Sequence, residues 1–344
     1  VSRGLGDVYK RQGVLRVKKM TDGYGRKIEY LRMSVTDACN LRCVYCMPSD
    51  GMAECPCHSA MSADEFVEIA RAAAELGMKK LRITGGEPLV RSDIVPLVRA
   101  LGEIPGIEDM SLTTNATLLA SIAKELYEAG IHRINISLDT LDAEKYAKIT
   151  RGGKLSDAFD GIRAAFEAGM SPVKLNTVLI GGFNDGEIAS LAELTLHYPV
   201  QLRFIELMPI GDTKGEFAAS AFLPDSAVLE RLPQLRAVPS EKHTVARLYK
   251  LPGAKGEVGL ISPLSNHFCS ECNRLRLTAD GCLKPCLHSA EELPVRGLHG
   301  QELKDAIISA VSHKPEKHVA LSATERSEAK RSMYRIAVSY THLR

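Results

Sequence analysis

The sequence lacks any run of about 18 consecutive apolar residues, so no segment reads as a membrane-spanning helix. Charge excess is missing too: Lys plus Arg number 44 against 42 Asp plus Glu, a net +2, far from the basic balance of a nucleic-acid binder. An anionic ligand must therefore be met by a local cluster of cations. The first residues, "VSRGLGDVYKRQ", carry basic side chains but no apolar stretch of the secretory kind, and the expected location is cytoplasmic. No P-loop is present, because the single "GGE" does not precede Gly-Lys-Ser/Thr. Short-period repeats of the solenoid type are also missing.

Strand-prone and helix-prone runs alternate from residue 30 onward. "LRMSVT" precedes an amphipathic stretch at 62–77, where Ser62 and Glu65 suit a capping box and Gly77 a C-cap. The alternation recurs through "KKLRIT", "MSLTTN", "RINISLD", "VKLNTVLI" and "QLRFIELM". Helices between successive strands imply a parallel sheet. The expected fold is α/β: a partial (β/α)6 TIM-type barrel over residues 14–210, with a smaller cluster-binding extension over 211–336. In that extension a helix is expected at 221–237 and strands at 243–250 and 256–262. Active sites of such barrels gather at the C-terminal ends of the strands.

Six of the nine cysteines form two groups, Cys39/Cys43/Cys46 and Cys269/Cys272/Cys286. Spaced clusters in a cytosolic chain bind metal more often than they form disulfides. Thiolates are soft ligands suited to zinc, copper(I) or iron–sulfur clusters. A structural zinc site closes with four protein ligands; His58 could complete the first trio, and Cys282 or His288 the second. Left open, each trio suits a cubane with one iron free for a small molecule. Cys55 and Cys57 read as free thiols in a loop.

The first trio, with spacing C-x3-C-x2-C and Tyr45 before its last Cys, resembles the signature of radical S-adenosylmethionine enzymes. The resemblance implies that the open iron chelates the cofactor and that reductive cleavage yields a 5′-deoxyadenosyl radical. "TGGEP" after the second strand is similar to that family's cofactor-binding turn, which points to Gly86 and Glu87. Tyr45, Thr113, Ser137, Arg203 and Met208 match further cofactor positions.

The second trio, with spacing x2 then x13 and "NRLR" behind its second Cys, resembles the GTP 3′,8-cyclases of molybdenum cofactor biosynthesis. The likeness runs over about residues 14–336. It implies two 4Fe–4S clusters, S-adenosylmethionine, and GTP held by Arg32, Lys80, Arg82, Lys174, Arg274 and Arg276, with no residue acting as a nucleophile. It further implies a flavodoxin-like electron donor and hand-over of product to cyclic pyranopterin monophosphate synthase, and it leaves a homodimer open. No nucleic-acid or membrane partner is expected. In such chains the C-terminus closes on Gly-Gly, where Ala337 and Val338 stand here. Residues 1–12 and 337–344 read as non-native ends, resembling translated adapter sequence. The alternatives are a peptide-modifying radical enzyme with an auxiliary cluster and a non-catalytic zinc protein.

Overall fold

In the computed structural model, residues 20–47, 60–208, 210, 221–239, 245–266, 268–318, 327–329 and 331–336 are described. His58, Cys55, Cys57, Ala337 and Val338 lie outside them. The six expected strands form: β1 (Tyr30–Ser34), β2 (Lys80–Thr84), β3 (Asp109–Thr114), β4 (Arg133–Ser137), β5 (Val173–Leu179) and β6 (Val200–Glu206). They pair in chain order, every pair parallel. Helices Ala63–Glu75, Ile94–Gly102, Ala123–Glu128, Ala143–Thr150, Leu155–Glu167 and Ile188–His197 make the crossovers. This is the parallel α/β architecture of a partial barrel.

Local chemistry explains several boundaries. The first helix starts on the expected capping box, with the Glu65 amide donating to Ser62 Oγ at 3.3 Å and the Ser62 amide to Glu65 Oε2 at 2.7 Å. It ends at Gly77, whose φ of +110° is open to glycine at little cost. The expected 221–237 helix spans only Ser226–Arg231, because Pro233 cannot continue a helix and restricts the residue before it.

The extension is woven into the barrel sheet. Strands β7 (Arg236–Ala237), β8 (Arg247–Lys250), β9 (Glu257–Ile261), β10 (Arg274–Leu277), β11 (Cys282–Lys284) and β12 (Leu293–Pro294) join one twelve-stranded sheet. β9 lies parallel beside β6, and β10 parallel beside β1. Among the described residues, eight strands thus run parallel where six were expected. The added strands bring the second Cys group to the edge that carries the first. A helix at Gly300–Ser312 follows. Leu31, Met33, Leu81, Ile83, Leu112, Ile134, Ile136, Leu175 and Leu202 point outward into the buried core shared with the helices, which leaves the alternate residues for the barrel interior.

Candidate active site

The first Cys group occupies the loop after β1. Its backbone is stapled to the end of helix Ala143–Thr150: the Arg42 amide donates to the Thr150 carbonyl at 3.1 Å and the Val44 amide to Ile149 at 2.9 Å. Arg151, at φ +53°, reaches back to the carbonyls of Arg42 (3.0 Å) and Met47 (2.9 Å). Tyr45 is buried and donates its hydroxyl to Asp139. Cys39, Cys43 and Cys46 then line one cavity together with Tyr45, Gly86, Glu87, Thr113 and Ser137. Eight residues singled out from sequence therefore converge.

The Gly-Gly turn has a packing role as well. A Cβ on Gly86 would come within 2.4 Å of the Ala38 carbonyl oxygen, so glycine lets this turn press on the backbone just before Cys39. The Gly86 amide donates to Thr36 (2.7 Å) and the Glu87 amide to Ala38 (2.8 Å); these N–H groups therefore hold the Cys loop. The Glu87 carboxylate is buried and accepts from the Leu89 amide (3.1 Å), Thr114 Oγ1 (2.7 Å) and the Asn115 amide (2.7 Å). A carboxylate has about four acceptor sites, so one remains for a ligand. Burial raises the Glu87 carboxyl to about 7, against those three hydrogen bonds.

The second Cys group starts on the short turn Cys269–Glu271 and runs into β10. Cys269, Cys272 and Cys286 line a cavity with Arg274, Arg276, Phe268, His288 and Met208. Met208, matched to the cofactor by resemblance, belongs to the same apolar cluster as Tyr45 but lines this second cavity. Cys43, Cys46 and Phe268 border that cluster, which therefore connects the two trios.

Two cations that sequence reasoning missed build this site. Lys314 is buried and donates to the carbonyls of Arg274 and Pro285, both at 2.7 Å, with its Nζ 3.9 Å from Cys272 Sγ. Arg26, paired with Asp22, donates to the carbonyls of Cys269 (2.7 Å), Glu316 (2.9 Å) and Pro315 (2.6 Å). Tyr334 was missed likewise; it lines the first cavity, beside Arg335, whose Nε lies 3.2 Å from Asp37.

The remaining cations share the interior face of the sheet. Register places Arg276, Arg32 and Arg82 in one row across β10, β1 and β2, all buried. Arg32 and Arg82 lie over the Tyr30 ring at 5.7 and 5.5 Å. Burial lowers Arg32, and Arg82 and Arg276 lower it further; Arg276 falls to about 10 through burial and then Arg274. Lys80 begins β2 on the same face. Lys174 and Arg203 are buried on β5 and β6.

All six cysteines are free thiols. Burial raises Cys39 to about 11, Cys46 to about 12, and Cys43 upward as well. Burial also raises Cys272, but Lys314, Arg274 and Arg276 outweigh it and leave it at about 6. Among the described residues no three His, Cys, Asp or Glu side chains converge on a single ion, as zinc requires. Three soft thiols spread around one cavity fit a cluster, in which each cysteine takes its own iron. Cys282 sits on β11 and is not among the residues that line the second cavity.

This parallel barrel, with a Cys trio and a Gly-Gly-Glu turn at the strand ends, is that of a radical S-adenosylmethionine enzyme. The profile described as Radical SAM superfamily matches residues 33–195, and that described as Molybdenum Cofactor Synthesis C matches 200–320. The chain is 47% identical to a GTP 3′,8-cyclase of Peptoclostridium acidaminophilum, over 92% of this chain and 98% of that one. It is 48% identical to the one of Pelotomaculum thermopropionicum, over 87% and 95%. Among solved structures, Streptococcus suis SuiB bound to S-adenosylmethionine matches with TM-score 0.59 at 17% identity, covering 89% of this chain and 70% of that one. That likeness shows the fold alone. The chain belongs to the GTP 3′,8-cyclase family. Among the described residues no helix is long and apolar enough to cross a membrane.

Proposed function

We infer that this chain cyclises GTP to 3′,8-cyclo-7,8-dihydro-GTP by radical chemistry, the first step of molybdenum cofactor biosynthesis. The carrying observation is the buried row Arg276, Arg32, Arg82, flanked by Arg274 beside the second cavity. Cations that lower one another's pKa in a buried space favour a polyanion. Guanidinium forks match phosphate oxygens in pairs, so these four arginines, with Lys80 and Lys174, are assigned to the triphosphate.

When bound in the first cavity, an iron–sulfur cluster and S-adenosylmethionine supply a 5′-deoxyadenosyl radical able to take hydrogen from an unactivated C–H bond. Cys39, Cys43 and Cys46 would hold that cluster. The remaining acceptor site of Glu87 takes an N–H of the cofactor's amino group, while Tyr45, Gly86, Thr113, Ser137, Arg203 and Met208 border the cofactor. Cys269, Cys272 and Cys286 would hold a second 4Fe–4S cluster, which would supply a site for the guanine base. The chain's own work is to hold ribose C3′–H and guanine C8 in register and to keep water away. A flavodoxin-like electron donor and cyclic pyranopterin monophosphate synthase complete the set of partners, in the cytoplasm.

The test is anaerobic incubation of the cluster-loaded protein with GTP, S-adenosylmethionine and a strong reductant. Equal amounts of 5′-deoxyadenosine and cyclised nucleotide are expected. Deoxyadenosine whose yield ignores GTP, with no cyclised product, would contradict the reading.

A further inference from the structure

Asn176, on β5, has a side chain only 1% exposed, and neither its Nδ2 nor its Oδ1 finds a hydrogen-bond partner among the described residues. Asn135, on β4, is as deeply buried. Its Nδ2 donates to the Leu112 carbonyl at 3.2 Å, while its Oδ1 has no partner there. Unmet buried amides destabilise a fold, and native proteins keep few of them. An apolar residue at 176 would remove that penalty, so the carboxamide calls for a partner that comes and goes.

Its surroundings indicate which one. Register sets Asn176 between Ser137 and Arg203, and Asn135 between Thr113 and Lys174. Residues opposite one another in neighbouring parallel strands share a face, and Ser137 and Thr113 line the first cavity. Leu175, next to Asn176, and Ile134 and Ile136, on either side of Asn135, face the helix-side core. Both carboxamides therefore lie on the interior face: Asn176 between two residues assigned to the cofactor, and Asn135 between Thr113, assigned to the cofactor, and Lys174, assigned to the triphosphate.

We propose that Asn176, with Asn135 beside it, binds the 2′,3′-diol of a nucleoside ribose; the substrate assignment rests on the GTP reading above. A carboxamide offers a donor and an acceptor side by side. One hydroxyl of a cis-diol accepts from Nδ2 while the other donates to Oδ1, and both unmet atoms are then satisfied. GTP and S-adenosylmethionine each carry such a diol. On GTP the grip would fix C3′, the carbon that loses hydrogen, and positioning of this kind supplies much of an enzyme's rate advantage.

The cluster-loaded protein is titrated with GTP and 2′-deoxy-GTP in one arm, and with S-adenosylmethionine and its 2′-deoxyadenosyl analogue in the other. The proteins compared are wild type, Asn176→Leu and Asn176→Ala. Wild type should prefer the ribonucleotide by about 10- to 100-fold, and both variants should lose that preference in one arm. Loss in the GTP arm assigns the amide to the substrate; loss in the other arm assigns it to the cofactor. Nucleotide-free Asn176→Leu should also melt at a higher temperature than wild type, which a purely structural amide would not allow. Preferences that survive both substitutions, or that wild type lacks in both arms, overturn the proposal. Wild type that fails to bind GTP at all overturns the functional reading instead.

Discussion

The two cysteine trios have the same number of thiols but opposite surroundings. Around the first stand carboxylates, Glu87 and Asp139; burial first, and these carboxylates to a lesser degree, push the thiols up to about 11 at Cys39 and about 12 at Cys46. Around the second stand Lys314, Arg274 and Arg276, and Cys272 falls to about 6. A site edged with carboxylates suits a cationic guest such as a sulfonium; a site edged with guanidinium and ammonium groups suits a nucleotide. The difference teaches that ligand number sets what metal group can sit in each cavity, while the neighbouring charge sets what the open corner receives.

The sharpest way to break the comparison is to remove one ligand from each side. Cys43→Ala should abolish deoxyadenosine formation altogether. Cys272→Ala should retain cofactor cleavage and lose the cyclised product, as read by chromatography of both nucleosides; identical defects in the two variants would erase the distinction. Next in size, Arg276→Ala and Arg32→Ala each remove charge-assisted hydrogen bonds of about 1.5–3 kcal/mol, roughly 10- to 150-fold in GTP affinity. Titration of S-adenosylmethionine should barely register either change.

Lys314→Met tests how the second loop is held. It leaves the carbonyls of Arg274 and Pro285 without their donor, a loss of about 1–3 kcal/mol, visible as a lower unfolding midpoint and as faster iron release from the second site only. The smallest effect concerns pH. Because burial raises Glu87 to about 7, the carboxyl is neutral below that pH and becomes the stronger acceptor above it. Cofactor affinity should therefore rise as pH increases, by about tenfold between pH 6 and pH 8 if ionisation alone governs it. Glu87→Gln should flatten that dependence, and an unchanged slope would remove Glu87 from the cofactor site.

Much of the barrel could be read in advance because its signals are local. The box at Ser62 and Glu65, the Gly-Gly-Glu turn and the Cys spacings each lie within a few residues, and alternation places Arg274 and Arg276 on one face. What escaped depends on distant partners. Arg26 reaches a carbonyl 243 positions away, and nothing in its neighbours announces that. β9 and β10 close on opposite edges of the sheet, a choice made by tertiary packing rather than by hydrophobic pattern. Lys314 looks in sequence like one more surface lysine, since carbonyl capture leaves no periodic trace. The unmet amide of Asn176 could be noticed only once its neighbours were in place.

Anaerobically purified protein should be assayed for iron and sulfide and examined by electron paramagnetic resonance before and after GTP is added. Two four-iron clusters predict about eight irons per chain, with GTP altering one signal and that change missing in Cys272→Ala. Colourless protein holding one or two zinc ions, or a spectrum indifferent to GTP, would contradict the account.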